Sequence, residues 1–454
     1  MDTQRLILLF IFGFSVLMIW EAWERENRPK PPAAPAAQGV PTAPAPPPGA
    51  PATAAKGAAP AKPAAPVPSA AAAAKGETVR VTTDLMVADI DTLGATLKRV
   101  ELLRHKDSAD PTRNFVLFGP ERSYEAQSGV ARDGGPNHLT LWSTQAKSAA
   151  LAEGADSVSV TLTGTGRDGL AVDKIYTFRR NSYVVDVALV VRNGGEQPVA
   201  PYAYFQFTHD GKPSSNVNQV AETFGAQSFT GFAVYTAEKA FEKIHPSDLD
   251  KNKVERPADN GWLAFVQHYF VAAWVIPDKL KRDYTALKRP DGLYSANALV
   301  QAGNLAPGAA AEVKVSLYAG PQEQRRLQAA APGLDLVVDY GFLAIIAWPL
   351  FWLLEKFYAL SGNWGVAIIL LTVLIKVIFF PLSAASYKSM AKMKLVTPRL
   401  TKIREMYAND RQKMNQAMMD LYKTEKINPL GGCFPILVQI PVFIALYWVL
   451  LAAI

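Results

Sequence analysis

The sequence predicts a multi-domain membrane protein: an all-β sandwich held outside the cytosol, plus an α-helical transmembrane bundle that carries a cytosolic helical hairpin. Three observations predict it. Apolar runs at the amino end and in the last quarter of the chain approach or reach the roughly 17–25 residues that a membrane span needs. Between them, apolar residues alternate with period two over a long stretch, as in half-buried strands. The basic excess behind the net charge of +7 sits beside the apolar runs, which marks a cytosolic membrane flank and argues against nucleic-acid binding.

Residues 1–26 read as a membrane anchor. The run at 6–20 is uncharged, with Trp20 and Trp23 placed as interfacial anchors. A cleaved signal peptide competes, because the run is short. Only Arg5 precedes it as a basic side chain, however, and the segment from Trp20 to Glu24 is a poor small-residue cleavage site. Residues 27–76 are rich in proline and alanine, too proline-rich for a helix and too poor in apolar area for a core, so they predict an extended tether.

Residues 77–325 predict the sandwich. Val158, Val160 and Leu162 alternate with serine and threonine. Residues 183–191 form a strand-like run closed by Asn193, Gly194 and Gly195, and the aromatic and β-branched run at 262–276 stops at Pro277. A ligand groove competes with a plain scaffold here, and the absence of a convergent polar motif favours the scaffold. The histidines (His105, His138, His209, His245, His268) lack metal-ligand spacing, and Cys433 is the sole cysteine, which excludes an intrachain disulfide. With no P-loop and no hydrolase or metalloprotease motif, the expectation is a protein without cofactor, metal or catalytic residues.

Residues 326–360 are expected to hold connecting and interfacial helices. The apolar run at 340–354 is broken by Pro349, Glu355 and Lys356, and Trp348 and Trp352 suit a helix lying on the bilayer; a half-buried bundle helix is the alternative. Ser361, Gly362 and Asn363 make a break. A second transmembrane helix follows at 361–382, a basic helical hairpin at 383–429, and a third transmembrane helix at 430–454. The cations from Lys388 to Lys426 put the hairpin in the cytosol, and therefore the sandwich on the opposite face and the amino terminus inside.

Lys376 carries the most information. A charge at mid-span costs about 2.5–3.5 kcal/mol on insertion scales and ordinarily faces protein or water. Snorkelling weighs equally, since Lys376 lies about 7.5 Å from Pro381 along a helix. Thr372 shares its helical face, although an intramembrane threonine often bonds back to its own preceding turn. Gln439, between Pro435 and Pro441, marks the third span with a polar group and freed carbonyls. In the hairpin, Met393, Val396, Leu400, Ile403 and Tyr407 follow an a/d seam, and Met414, Met418 and Leu421 give a second, joined by a turn at Asn409 and Asp410. The methionines either form an adaptable capture surface or pack within the hairpin. The basic faces are solvated, or meet anionic lipid or ribosomal RNA.

Several stretches resemble the YidC family of bacterial inner-membrane insertases: MDTQR…MIWEAWE at the start, DYGFLAIIAWPLFWLLEKFYALSGNWGVAIILLTVLIKVIFFPLSAASYKSMAKMK, and MMDLYKTEKINPLGGCFPILVQIPVFIALYWVL. In the sandwich, GWLAFVQHYFVAAWVIP is the clearest piece. The resemblance implies a periplasmic β domain and lateral insertion of nascent membrane proteins, alone or beside the Sec translocon, without nucleotide, metal or small-molecule substrate. It implies a hydrophilic groove with its cation at Lys376, usually arginine in the family, its threonine at Thr372, and a substrate-contacting face around Gln439, Ile440 and Phe443. The capture hairpin falls on residues 383–426, including Met393, Leu400, Met414 and Met418. It also implies two further membrane helices beyond Ile454, so the chain is expected to be truncated at its carboxyl end. Two other functions compete: an anchored carbohydrate-binding sandwich, which needs a histidine–carboxylate pair in a pocket, and a small transporter, which needs coupled polar residues on several spans.

Overall fold

The computed structural model describes residues 75–108, 110–167, 169–212, 229–340, 343–408, 410–425 and 434–452. The expected anchor and nearly all of the expected tether lie outside these residues.

Alternation builds the β domain. In strand Leu170–Arg179 every second residue from Leu170 to Phe178 is buried, and Ser157–Thr165 beside it turns Val160 and Leu162 inward while its serines and threonines face out. Residues 262–276 form two strands, Trp262–Val266 and Phe270–Val275, paired with Trp262 opposite Val275. Among the described residues the strands form two sheets, one of ten strands and one of eight, almost wholly antiparallel. The exception is a parallel pairing of Thr78–Thr82 with Ser148–Ala150. The sheets pack face to face. Phe205 and Phe207 of the larger meet Trp274 of the smaller, ring centres 5.3 and 5.7 Å apart. Full burial of a large apolar side chain contributes roughly 1.5–3 kcal/mol, so this aromatic layer is a main source of sandwich stability.

Several ionisable groups lie inside, Lys174, Arg282 and His209 among them. Lys174 takes an inward place in the alternation and is wholly buried. Its Nζ donates to the carbonyls of Gly94 (2.9 Å), Ala95 (3.2 Å) and Ser128 (2.7 Å), and lies 4.6 Å from the Trp142 ring centre. Burial pushes this amine well below the usual lysine range, while the carbonyls and the ring favour the ammonium. Gly164 makes room for Trp142, because a Cβ there would stand 2.7 Å from the indole. Arg282 is clasped chiefly by backbone, donating among others to the carbonyls of Ile276 and Asp259, both at 2.8 Å. His209 packs on Phe265, and its Nδ1 accepts from the Gly211 amide. Burial pushes its pKa down to about 4, against the smaller opposing effect of Asp210. These groups hold loops and strands together.

The carboxyl-terminal part is helical: α1 (Gln324–Ala330), α2 (Ala344–Ser361), α3 (Trp364–Met406), α4 (Arg411–Thr424) and α5 (Phe434–Ala452). The break between α2 and α3 has a local cause. Gly362 adopts a left-handed conformation and its amide donates to the carbonyl of Tyr358 at 2.7 Å, closing α2. Asn363 then caps α3, its side chain accepting from the amides of Gly365 and Val366. Asp410 caps α4 in the same way.

Two helices differ in extent from the sequence reading. α2 runs on through Glu355 and Lys356, and is long and apolar enough to cross a membrane. Glu355 is 3.4 Å from Arg325 of α1, and Lys356 lies over Trp352, so neither charge ends the helix. Pro349 withdraws only the bond to the carbonyl of Ile345, at the exposed first turn. α3 is continuous for 43 residues, through both Pro381 and Pro398, across the expected boundary between span and hairpin at 382. Its length is about 65 Å at 1.5 Å per residue, about twice the hydrocarbon thickness of a bilayer.

Candidate functional site

α2, α3 and α5 pack together around small residues. Ala347, Ala367 and Ala445 are fully buried, joined by Leu350, Leu371, Ile375 and Val449. Small side chains at such contacts let helices approach closely. The outer face of α3, with Val366, Ile369, Val373 and Val377, is exposed and apolar, as suits a helix facing hydrocarbon.

Lys376 follows Ile375 at the edge of this packed face. Its Nζ lies 5.2 Å from the ring centre of Phe443 on α5, within cation–π range, and both residues are accessible from outside the bundle. The structure therefore brings together two expected site residues that lie far apart in the sequence. Thr372, one turn earlier, is half-buried, and its hydroxyl donates to the Ile368 carbonyl at 2.8 Å. That bond is the local alternative left open by the sequence. Gln439, one turn before Phe443 on α5, is half-buried, with an Nε2 that is buried without a hydrogen-bond partner among the described residues. A buried amide donor left unpaired costs on the order of 1–3 kcal/mol, so Gln439 is a local stability cost at this helix contact. Ile440 is half-buried beside it.

Side-chain contacts tie the β domain and α1 to the segment that leads into α2. Lys243 pairs with Asp339 just before α2, and the Tyr340 hydroxyl accepts from Gln324 Nε2 at 2.8 Å.

In the hairpin, Val396 and Leu400 of α3 are buried against Met418, Leu421 and Tyr422 of α4, with Met393 at the same contact. Arg399 and Glu425 close it with an ion pair at 2.5 Å. Met414 is half-buried outside this cluster. The seam methionines Met393 and Met418 thus pack within the hairpin. The accessible apolar side chains are others: Met390, Leu395, Met406 and Met419. They lie off the a/d seam, so reading the complement of that seam finds them.

Among the described residues no group of three histidine, cysteine or acidic side chains is placed to hold a metal. His209 has Asp210 beside it at 3.3 Å, but it is buried among aromatic rings.

Residues 78–353 match the family model of the YidC periplasmic domain, and residues 356–454 match that of the 60Kd inner membrane protein. A protein of Nitrosospira multiformis named membrane protein insertase YidC is 47% identical over 470 residues, covering 100% of this chain and 82% of that protein. One of Dechloromonas aromatica with the same name is 48% identical over 458 residues, covering 100% and 81%. A galactose mutarotase-like protein from Lactobacillus casei overlays 53% of this chain and 99% of its own with 11% identity and a TM-score of 0.34, a likeness too weak to bear on ligand or activity. With both family models matched in succession from residue 78 to residue 454, and relatives nearly half identical over its whole length, the chain belongs to the YidC family.

Proposed function

We infer that this chain is a membrane protein insertase that receives apolar segments of nascent proteins at the α3–α5 seam and releases them sideways into lipid. The observation that carries the reading is a cation, Lys376, held against Phe443 at the edge of a bundle whose outer face is apolar. A polar stretch of a crossing substrate loses its hydration in hydrocarbon, at a cost of several kcal/mol for each unpaired group. An accessible charge at the seam offsets part of that loss. The apolar helix that follows then partitions into lipid. No bond is made or broken, so the residues act by solvation and position, without cofactor. The family relationship supports the same reading, since the full-length relatives carry the insertase name.

The family makes this an inner-membrane protein with a periplasmic domain. We place the hairpin in the cytosol from the charge of residues 383–429, leaving the amino terminus inside. The Sec translocon, the ribosome and anionic lipid are the partners that this orientation makes accessible, the last two through the basic hairpin. Depleting the protein should leave small single- and double-span reporters uninserted, as read by protease protection. Unchanged insertion would reject the reading. For orientation, single cysteines replace Lys402 or Thr161, both exposed, in a Cys433→Ser background. An impermeant maleimide added to outer-permeabilised cells should label position 161 and spare 402; the reverse pattern would invert the topology.

A further inference from the structure

The contact between Lys376 and Phe443 has a direction of action. The ammonium belongs to α3 and the ring to α5, so the contact spans the seam between two helices. A lysine stem is long enough to carry its charge toward the headgroups, yet here the charge rests over a ring. An aromatic face attracts a cation through its quadrupole, and the attraction strengthens where water is scarce. Lysine suits such a site as a compact point charge with three donors, unlike the planar guanidinium, which stacks and forks at once. The ring remains 37% exposed, so a group arriving from outside the bundle reaches the same edge.

Resting on the insertase reading, we propose that Phe443 sets the charge selectivity of the seam: its ring holds the Lys376 ammonium and competes for it with acidic groups of the substrate. A carboxylate approaching Lys376 forms an ion pair only by weakening the cation–π contact. Strongly acidic segments outcompete the ring, and neutral polar segments leave the contact in place. The ring thus lowers the preference for acidic segments that a bare ammonium would impose.

The test uses two reporter proteins that differ only in their translocated segment, one acidic and one neutral. Their rates of protease protection are compared in cells whose only copy of the protein is the parent or a variant. Phe443→Leu should raise the acidic-to-neutral ratio by about two- to fivefold, the worth of a cation–π contact at a partly exposed site. Phe443→Trp, with the stronger ring, should lower it. In a Lys376→Met background both replacements should leave the ratio where Lys376→Met alone puts it. Phe443→Met, which keeps bulk without a ring, serves if the leucine variant fails to accumulate. An unchanged ratio in the ring-less variants overturns the proposal. So does a lowered ratio, which would make the ring a holder of the charge and no competitor, and so does the same shift in the Lys376→Met background, which would make the effect one of packing. Failure of the insertase reading shows separately, as depletion that alters neither reporter.

Discussion

Lys376→Ala is expected to slow insertion of a reporter with an acidic translocated segment by about tenfold or more, while a matched neutral reporter slows by less than about threefold. Two unit charges 4 Å apart attract by about 4 kcal/mol at the effective dielectric of a protein edge, and recovering even a third of that accounts for the tenfold effect. Lys376→Arg keeps the charge and adds donors, so it should match or exceed the parent. The competing account, a lysine that merely reaches for headgroups, predicts little dependence on substrate charge. Protease protection of the two reporters in cells carrying each variant decides. Equal insertion of both by the alanine variant and the parent would return Lys376 to the lipid-facing account.

The second large effect concerns stability. Lys174→Met removes a buried amine, which by itself is favourable, and leaves the packing volume nearly intact. It also strips the side-chain donor from the carbonyls of Gly94 and Ser128, while Ala95 keeps its bond from the Tyr176 hydroxyl at 2.7 Å. Two buried acceptors losing their donor cost about 1–3 kcal/mol each, and the contact with Trp142 is lost as well. A net loss of about 3 kcal/mol corresponds to a fall in melting temperature of about 6–12 °C for a domain of this size. Thermal melting of the detergent-solubilised protein, followed by the β signal in circular dichroism, measures it. A melting point within 2 °C of the parent would mean that the backbone closes over the gap, or that burying the amine had cancelled its own bonds.

Lys174 also shows where sequence and structure part company. The alternation of Leu170, Val172, Lys174, Tyr176 and Phe178 places the lysine on the inward face, but its charge argues for solvent. The conflict is settled by carbonyls of residues 94, 95 and 128, brought there by strand pairing. The existence of strands was legible because their period is local. The partition into two sheets was not, because pairing partners lie far apart along the chain. The helical break at Gly362 and Asn363 was legible, since each residue acts on its own turn. The continuity of α3 was hidden by Pro381 and by the change from apolar to basic composition at the same point, neither of which removes enough hydrogen bonds to end a long helix. Lys376 stood out as a charge within an apolar run. Its contact with Phe443 was invisible, because no spacing rule connects residues on different helices.

The unbroken α3 makes the molecule a ruler. Lys376 and Met406, at the end of the helix, are separated by about 45 Å of helix path, at 1.5 Å per residue. No break in the helix lies between them, although Pro381 and Pro398 are places where it can bend. An extended polypeptide rises about 3.4 Å per residue, so a chain engaging the tip and the cation together needs about 13 residues between its two points of contact. An extended segment shorter than that reaches one end of the helix or the other.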